Sequence, residues 1–253
     1  FGEEVESLNL PTDYPKKETQ SFKGSNIYTR IDNNLNEKIL NKCKQLGITP
    51  YAYYMACCNI LLSKYSGNED ICVGVPTSRR TSKFLNTMGM FVKTLPLYCR
   101  VDDSMSLSEL FRQSDAMIRG AREHSIFSYA DVCSHLDIKT SCLFAYQGYL
   151  LNNVRIDGHL LTFEDLELSA TTEPLTVQVY EKLDGSYMAM VEYQENMYSR
   201  ELIDQLLESY SALFKNAADG NTLVGELQLT TRKQLQLLDS FNETAFEYNA
   251  QDT

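Results

Sequence analysis

The chain has 253 residues, 43% hydrophobic and 23% charged, and its 34 Asp and Glu against 23 Lys and Arg leave a formal net charge of −11. That is enough apolar content and length to bury a core in one large domain or two small ones, and it excludes a solvated disordered tail. The acidic balance without a basic stripe argues against a nucleic-acid groove, and no apolar run approaches the roughly 20 residues of a membrane-spanning helix.

Phe1-Gly2-Glu3-Glu4-Val5-Glu6 carries neither an initiator Met nor the basic start and apolar stretch of a signal peptide, so a piece of a longer polypeptide is expected. Residues 1–22 are polar, hold Pro11 and Pro15, and read as a linker or strapped-down arm. Residues 23–240 read as the folded unit. Its first strand is predicted at Gly24–Ile31. A capping box at Asn34–Glu37 then opens a helix with Leu35, Ile39, Leu40, Cys43 and Leu46 on one face and Gly47 at its stop. Thr49-Pro50 supplies an N-cap and a proline at the first helical position, and the helix from Tyr51 to Tyr65 is apolar nearly all round, as a buried helix is.

Asp70–Val75 reads as a central strand and Met90–Val101 as a second one, with loop residues Ser78–Asn86 leading into it. Ser106-Leu107-Ser108-Glu109 is a full capping box for a helix with the stripe Leu107, Leu110, Phe111, Met117, Ile118 and Ala121. A strand is expected at Cys142–Tyr146. Asp184-Gly185 marks a hairpin between two alternating runs, Leu175/Val177/Val179 and Tyr187/Ala189/Val191/Tyr193. A long helix follows Ser199 and closes at Gly220, and residues 241–253 turn polar like a linker. Strands mixed with helices and an antiparallel hairpin imply an α/β sandwich, not a doubly wound parallel sheet.

Catalytic motifs are scarce. His124, His135 and His159 stand apart, and each reads as a surface or hydrogen-bonded histidine. Cys133, His135 and Cys142 lack zinc spacing, and no Walker loop, GxGxxG or GxSxG occurs. Asp102-Asp103 precede a helix N-terminus, where acidic side chains favour the dipole. The seven cysteines contain no CxxC pair and mostly sit in apolar runs, as reduced, structural thiols of a cytoplasmic protein do. No catalytic residue, metal site or directly bound cofactor is therefore expected in this chain. Two segments are more particular: Gly74–Arg80, which leaves a strand and ends in two cations, and Gly89–Leu97, with a proline inside a predicted strand.

Together these segments resemble the C-terminal half of a condensation domain of nonribosomal peptide synthetases. The matching stretches are Leu10-Pro11-Thr12-Asp13-Tyr14-Pro15, Tyr65–Pro76 (YSGNEDICVGVP), Met88–Arg100 (MGMFVKTLPLYCR), and Val224–Leu227 with Leu238–Tyr248 at the approach to an adenylation domain. The resemblance implies one lobe of a two-lobed, chloramphenicol-acetyltransferase-like domain with a mixed sheet and helices packed on it. Such a domain forms amide bonds between substrates carried on the phosphopantetheine arms of peptidyl carrier proteins, which enter a tunnel between the lobes. The implied partners are the N-terminal lobe, the carrier proteins and the adjacent adenylation domain.

The family's HHxxxDG motif belongs to the other lobe and does not occur here. The resemblance implies that Arg80 meets that motif's aspartate across the lobe interface. It also implies that Met88, Gly89, Phe91, Val92, Lys93 and Thr94 line the tunnel, with Phe91 and Val92 packing, and that part of the segment after Gly148 crosses to the other lobe as a latch. Lys93 stands where the family usually has asparagine, and the family motifs around His124–Asp131 and Asp137–Leu143 are altered. A noncatalytic carrier-docking platform and part of an epimerisation domain are the alternative readings.

Overall fold

The computed structural model describes residues 8–15, 21–78, 80–125, 129–136, 140–148, 155–160, 169–182 and 184–244. In chain order the elements are β1 (Gly24–Ile31), α1 (Asn33–Leu46), α2 (Pro50–Ser66), β2 (Asp70–Ser78), β3 (Val92–Arg100), α3 (Leu107–Glu123), α4 (Tyr129–Leu136), β4 (Cys142–Gln147), β5 (Arg155–Ile156), β6 (His159–Leu160), β7 (Leu175–Glu181), β8 (Tyr187–Gln194), α5 (Arg200–Asp219) and α6 (Arg232–Asn242). Six strands form one sheet in the order β1-β8-β7-β4-β2-β3, while β5 and β6 pair separately. Pairing is antiparallel except where β4 runs parallel to β2 and to β7, so the sheet is mixed, as expected.

The alternating apolar residues of the hairpin all point into the core: Leu175, Val177, Val179, Tyr187, Ala189, Val191 and Tyr193 are buried. Aromatic side chains join that face to α2. Tyr51 stacks on Phe144 and Tyr146, Tyr54 stacks on Tyr187, and Tyr54 meets Phe214 of α5 edge-on. The helix predicted to be apolar all round is indeed enclosed, with Ala52–Ser63 buried. It starts at Thr49, whose side chain accepts from the Ala52 amide, and ends at Gly67, whose φ of 75° suits a residue without Cβ.

The capping chemistry agrees with the sequence at Ser106/Glu109, Ser199, Gly47 and Gly220, and differs at the start of α1. The α1 cap is Asp32, whose carboxylate accepts from the amides of Asn34 and Leu35, so the box read at Asn34–Glu37 lies inside the helix. Gly220 closes α5 as expected, in an extended conformation (φ −143°). β2 runs on to Ser78 and β3 starts at Val92, two residues later than Met90. Helices α4 and α6 were not foreseen, and α6 ends at Asn242, inside the segment read as a linker. The arm is strapped down where it is described: Leu8 and Leu10 are buried, and the Ser199 amide donates to Asp13 Oδ2 at 2.8 Å.

One buried carboxylate ties two helices together. Asp115, on α3, accepts from the Thr49 amide and hydroxyl, both at 3.0 Å, and pairs with Arg119 at 2.8 Å. Asp115→Ala removes the acceptor of two part-buried Thr49 donors and the partner of Arg119, and is expected to cost about 2 kcal/mol in urea unfolding. A loss below about 0.5 kcal/mol would show that water replaces the carboxylate.

Candidate functional site

β2 and β3 are joined in register up to Ser78 opposite Val92, and that pair closes a loop around Arg80 to Phe91. The loop carries a short helical turn at Ser82–Phe84. Its organiser is Arg80. The guanidinium donates to the Phe84 carbonyl at 2.8 Å, to the Thr87 carbonyl, and to the Gly89 carbonyl at 3.3 Å. Its Cζ lies 4.2 Å from the centroid of the Phe91 ring, which in turn sits 5.7 Å from Phe84. A planar fork of donors reaches several carbonyls at once, which a lysine cannot do. Gly89 adopts φ 147°, a conformation that side chains disfavour, and its carbonyl is thereby presented to Arg80.

Arg80 is thus engaged inside its own loop. Within this chain its partners are backbone carbonyls and an aromatic face rather than a carboxylate, and the side chain is only half-buried. Phe91 lies under the guanidinium. Val92 is 46% exposed, beside Met88 at 97% and Met90 at 87%. Leu85 is exposed as well. Lys93 and Thr94 are half-buried at the start of β3. The tunnel residues expected from the sequence therefore lie on this loop (Met88, Gly89, Phe91) and the start of β3 (Val92, Lys93, Thr94), and the loop presents a methionine-rich apolar surface outward.

The three histidines are exposed, on different elements: His124 ends α3, His135 is on α4 and His159 on β6. Cys43, Cys57, Cys58, Cys72, Cys99 and Cys142 are buried free thiols. Burial pushes the Cys43 thiol up to about 12 and that of Cys99 to about 11, so neither is a nucleophile at neutral pH. Of the segment after Gly148 expected to hold the latch, 149–154 and 161–168 lie outside the described residues and 155–160 form the β5–β6 pair; 137–139 and 126–128 of the altered motifs and the end of the chain from 245 onward also lie outside them.

Sequence reading missed a second feature. On the sheet face opposite α2 and α5, β2, β4, β7, β8 and the segment before β7 enclose a cleft of ≈ 260 Å³. Glu173 and Glu192 line it with Thr176 and Gln178, over a floor that includes Ala145 and Pro76. Glu192 Oε1 accepts from Gln178 Nε2 at 2.7 Å. Burial raises both carboxyls above the usual glutamate range, with the Gln178 hydrogen bond opposing the shift at Glu192. The available signal was alternation itself: Thr176, Gln178 and Glu192 occupy the off-core positions of strands whose other face is entirely buried.

The family model that matches is the condensation domain, over residues 1–238. The chain belongs to the condensation-domain family. Among curated relatives, tyrocidine synthase 2 of Brevibacillus parabrevis is 28% identical over 265 residues, covering 100% of this chain and 7% of that protein. Bacitracin synthase 2 of Bacillus licheniformis is 28% identical over 259 residues, covering 98% and 10%. This condensation-domain chain thus spans a small part of the relatives it matches.

Among solved structures, a four-domain nonribosomal peptide synthetase bound to AMP and glycine superposes with a TM-score of 0.76 at 18% identity, covering 88% of this chain and 19% of that one. The first condensation domain of the CDA synthetase gives 0.71 at 19% identity, covering 84% and 49%. The X-domain from teicoplanin biosynthesis gives 0.76 at 14%, covering 88% and 53%. The fold is accordingly the chloramphenicol-acetyltransferase-like α/β sandwich expected from the sequence.

Proposed function

We propose that this condensation-domain chain is the C-terminal lobe of an amide-forming domain in a nonribosomal peptide synthetase, and that Met88 to Thr94, from the loop held by Arg80 into the start of β3, is the floor of its substrate tunnel. The observation that carries the reading is that loop: Arg80 holds three of its carbonyls, and Met88, Met90 and Val92 stand exposed beside them. A contiguous apolar surface on an ordered loop marks a surface that another body covers. The chain's match to about half of solved condensation-domain and X-domain chains, 49% and 53%, supports the assignment of one lobe.

In this role the acceptor amine attacks the donor thioester carbonyl, and the thiol leaves as the amide forms. Substrates arrive on the phosphopantetheine arms of peptidyl carrier proteins, and no cofactor is bound directly. The histidine motif that serves this step is HHxxxDG, and the three histidines of this chain, at 124, 135 and 159, include no adjacent pair. This lobe contributes orientation and water exclusion: a fixed floor holds the reacting groups near attack geometry, where a displacement of 1 Å costs roughly 100-fold. The N-terminal lobe faces the loop, and the segment 241–253 leads toward the adenylation domain.

Loaded donor and acceptor carrier proteins, incubated with this chain alone, are expected to yield no peptide by mass spectrometry. Addition of the N-terminal lobe is expected to restore peptide formation. Turnover by the chain alone would overturn the incomplete-site reading, and silence of a correctly reassembled pair would favour a noncatalytic docking platform.

A further inference from the structure

The cleft opposite α2 and α5 has one-sided wall chemistry. Among the described residues two carboxylates line it, no Lys or Arg does, and neither Glu173 nor Glu192 is paired with a cation. Its rim is built firmly. The buried Gln194 side chain donates to the Thr171 and Thr172 carbonyls at 3.5 and 3.3 Å, and its amide donates to the Pro174 carbonyl at 3.1 Å. These bonds fix the segment that bears Glu173 against β8, the strand that bears Glu192. Gln178 holds the Glu192 carboxylate through one oxygen, Oε1.

The floor is apolar, from Leu143, Ala145 and Pro76. A ≈ 260 Å³ space holds the volume of roughly eight waters at about 30 Å³ each, which is enough for an alkyl chain with a polar head. Polar walls of one sign over an apolar floor match an amphipathic cation, whose stem packs while its head is neutralised. Half-burial leaves both carboxylates under-solvated, so an entering ammonium recovers interaction that water does not supply.

We infer that this cleft binds an aliphatic ammonium the size of a basic amino-acid side chain, its stem over Leu143 and Ala145 and its head against Glu173 and Glu192. Pro76 on the cleft wall is the register partner of Thr94 in the tunnel floor. Resting on the tunnel reading, the cleft is then where an amine-bearing substrate is selected; the binding itself does not depend on that reading.

The test is an NMR titration of the ¹⁵N-labelled chain with Nα-acetyl-lysine methylamide and with its neutral counterpart, Nα-acetyl-norleucine methylamide. The lysine compound is expected to shift amides of β4, β7 and β8 and to bind about tenfold more tightly than the norleucine compound. Glu192→Gln and Glu173→Gln are each expected to remove most of that preference. Glu173 lies before β7, so its variant still reports if Glu192→Gln fails to fold. Equal affinities for the two compounds, shifts confined to residues 84–92, or no binding of either compound would overturn the inference. The titration reads binding alone: failed amide formation in the reassembled domain leaves it standing, and failed binding leaves the condensation reading standing.

Discussion

Arg80→Ala in the complete two-lobed domain is expected to slow amide formation about 100-fold with little change in global stability. The guanidinium is half-exposed, so its bonds to the Phe84, Thr87 and Gly89 carbonyls add modestly to unfolding free energy. They determine instead where Met88, Met90 and Val92 stand, and a shift of about 1 Å in a positioning element costs roughly 100-fold in rate. Arg80→Lys separates two roles. If Arg80 acts through a single charge on the partner lobe, lysine keeps most of the activity. If it acts by gathering carbonyls, lysine performs nearly as poorly as alanine, because a single ammonium nitrogen does not reproduce the two-nitrogen fork that reaches the three carbonyls. The second result is expected. Single-turnover rates with loaded carrier proteins measure it, and tryptic cleavage after Lys83 in this chain reports the loosened loop. Wild-type rates in Arg80→Ala would remove the residue from the mechanism.

Tyr210→Ala is expected to destabilise the chain by about 4 kcal/mol, near the limit that a small domain tolerates. Tyr210 is fully buried, meets Phe214 at 4.3 Å between centroids, and donates its hydroxyl to the Tyr54 carbonyl at 2.8 Å. Tyr53 answers from α2 by donating to the Phe214 carbonyl at 2.7 Å. These reciprocal bonds lock α2 to α5 across the centre of the core. Tyr210→Phe keeps the ring and removes one hydrogen bond, so it is expected to cost about 1 kcal/mol. Urea denaturation of both variants measures the difference. Equal losses would mean that the hydroxyl, not the ring, carries the contribution.

Local chemistry was legible where a short pattern has one physical solution. Thr49-Pro50 and Ser106/Glu109 satisfy orphan helix amides within a few residues, and the runs flanking Asp184-Gly185 have a single face to bury. Asn34–Glu37 misled because Asp32, two residues earlier, offers the stronger acceptor at the same helix start. Helix α6 was missed because Leu235, Leu237, Leu238 and Phe241 remain exposed, so no buried stripe separates that segment from a linker.

The residues themselves determined the family, the types of the main strands and helices, and the presence of a loop between β2 and β3. Those properties rest on neighbours close in the chain and on motifs read in order. Only the tertiary structure decided what Arg80 touches, because its three carbonyl partners depend on a loop path that no spacing rule encodes. The same holds for the cleft. Glu173 and Glu192 are 19 positions apart in sequence, and only the antiparallel pairing of β7 with β8, with Gln194 tying the segment before β7, places them on one wall.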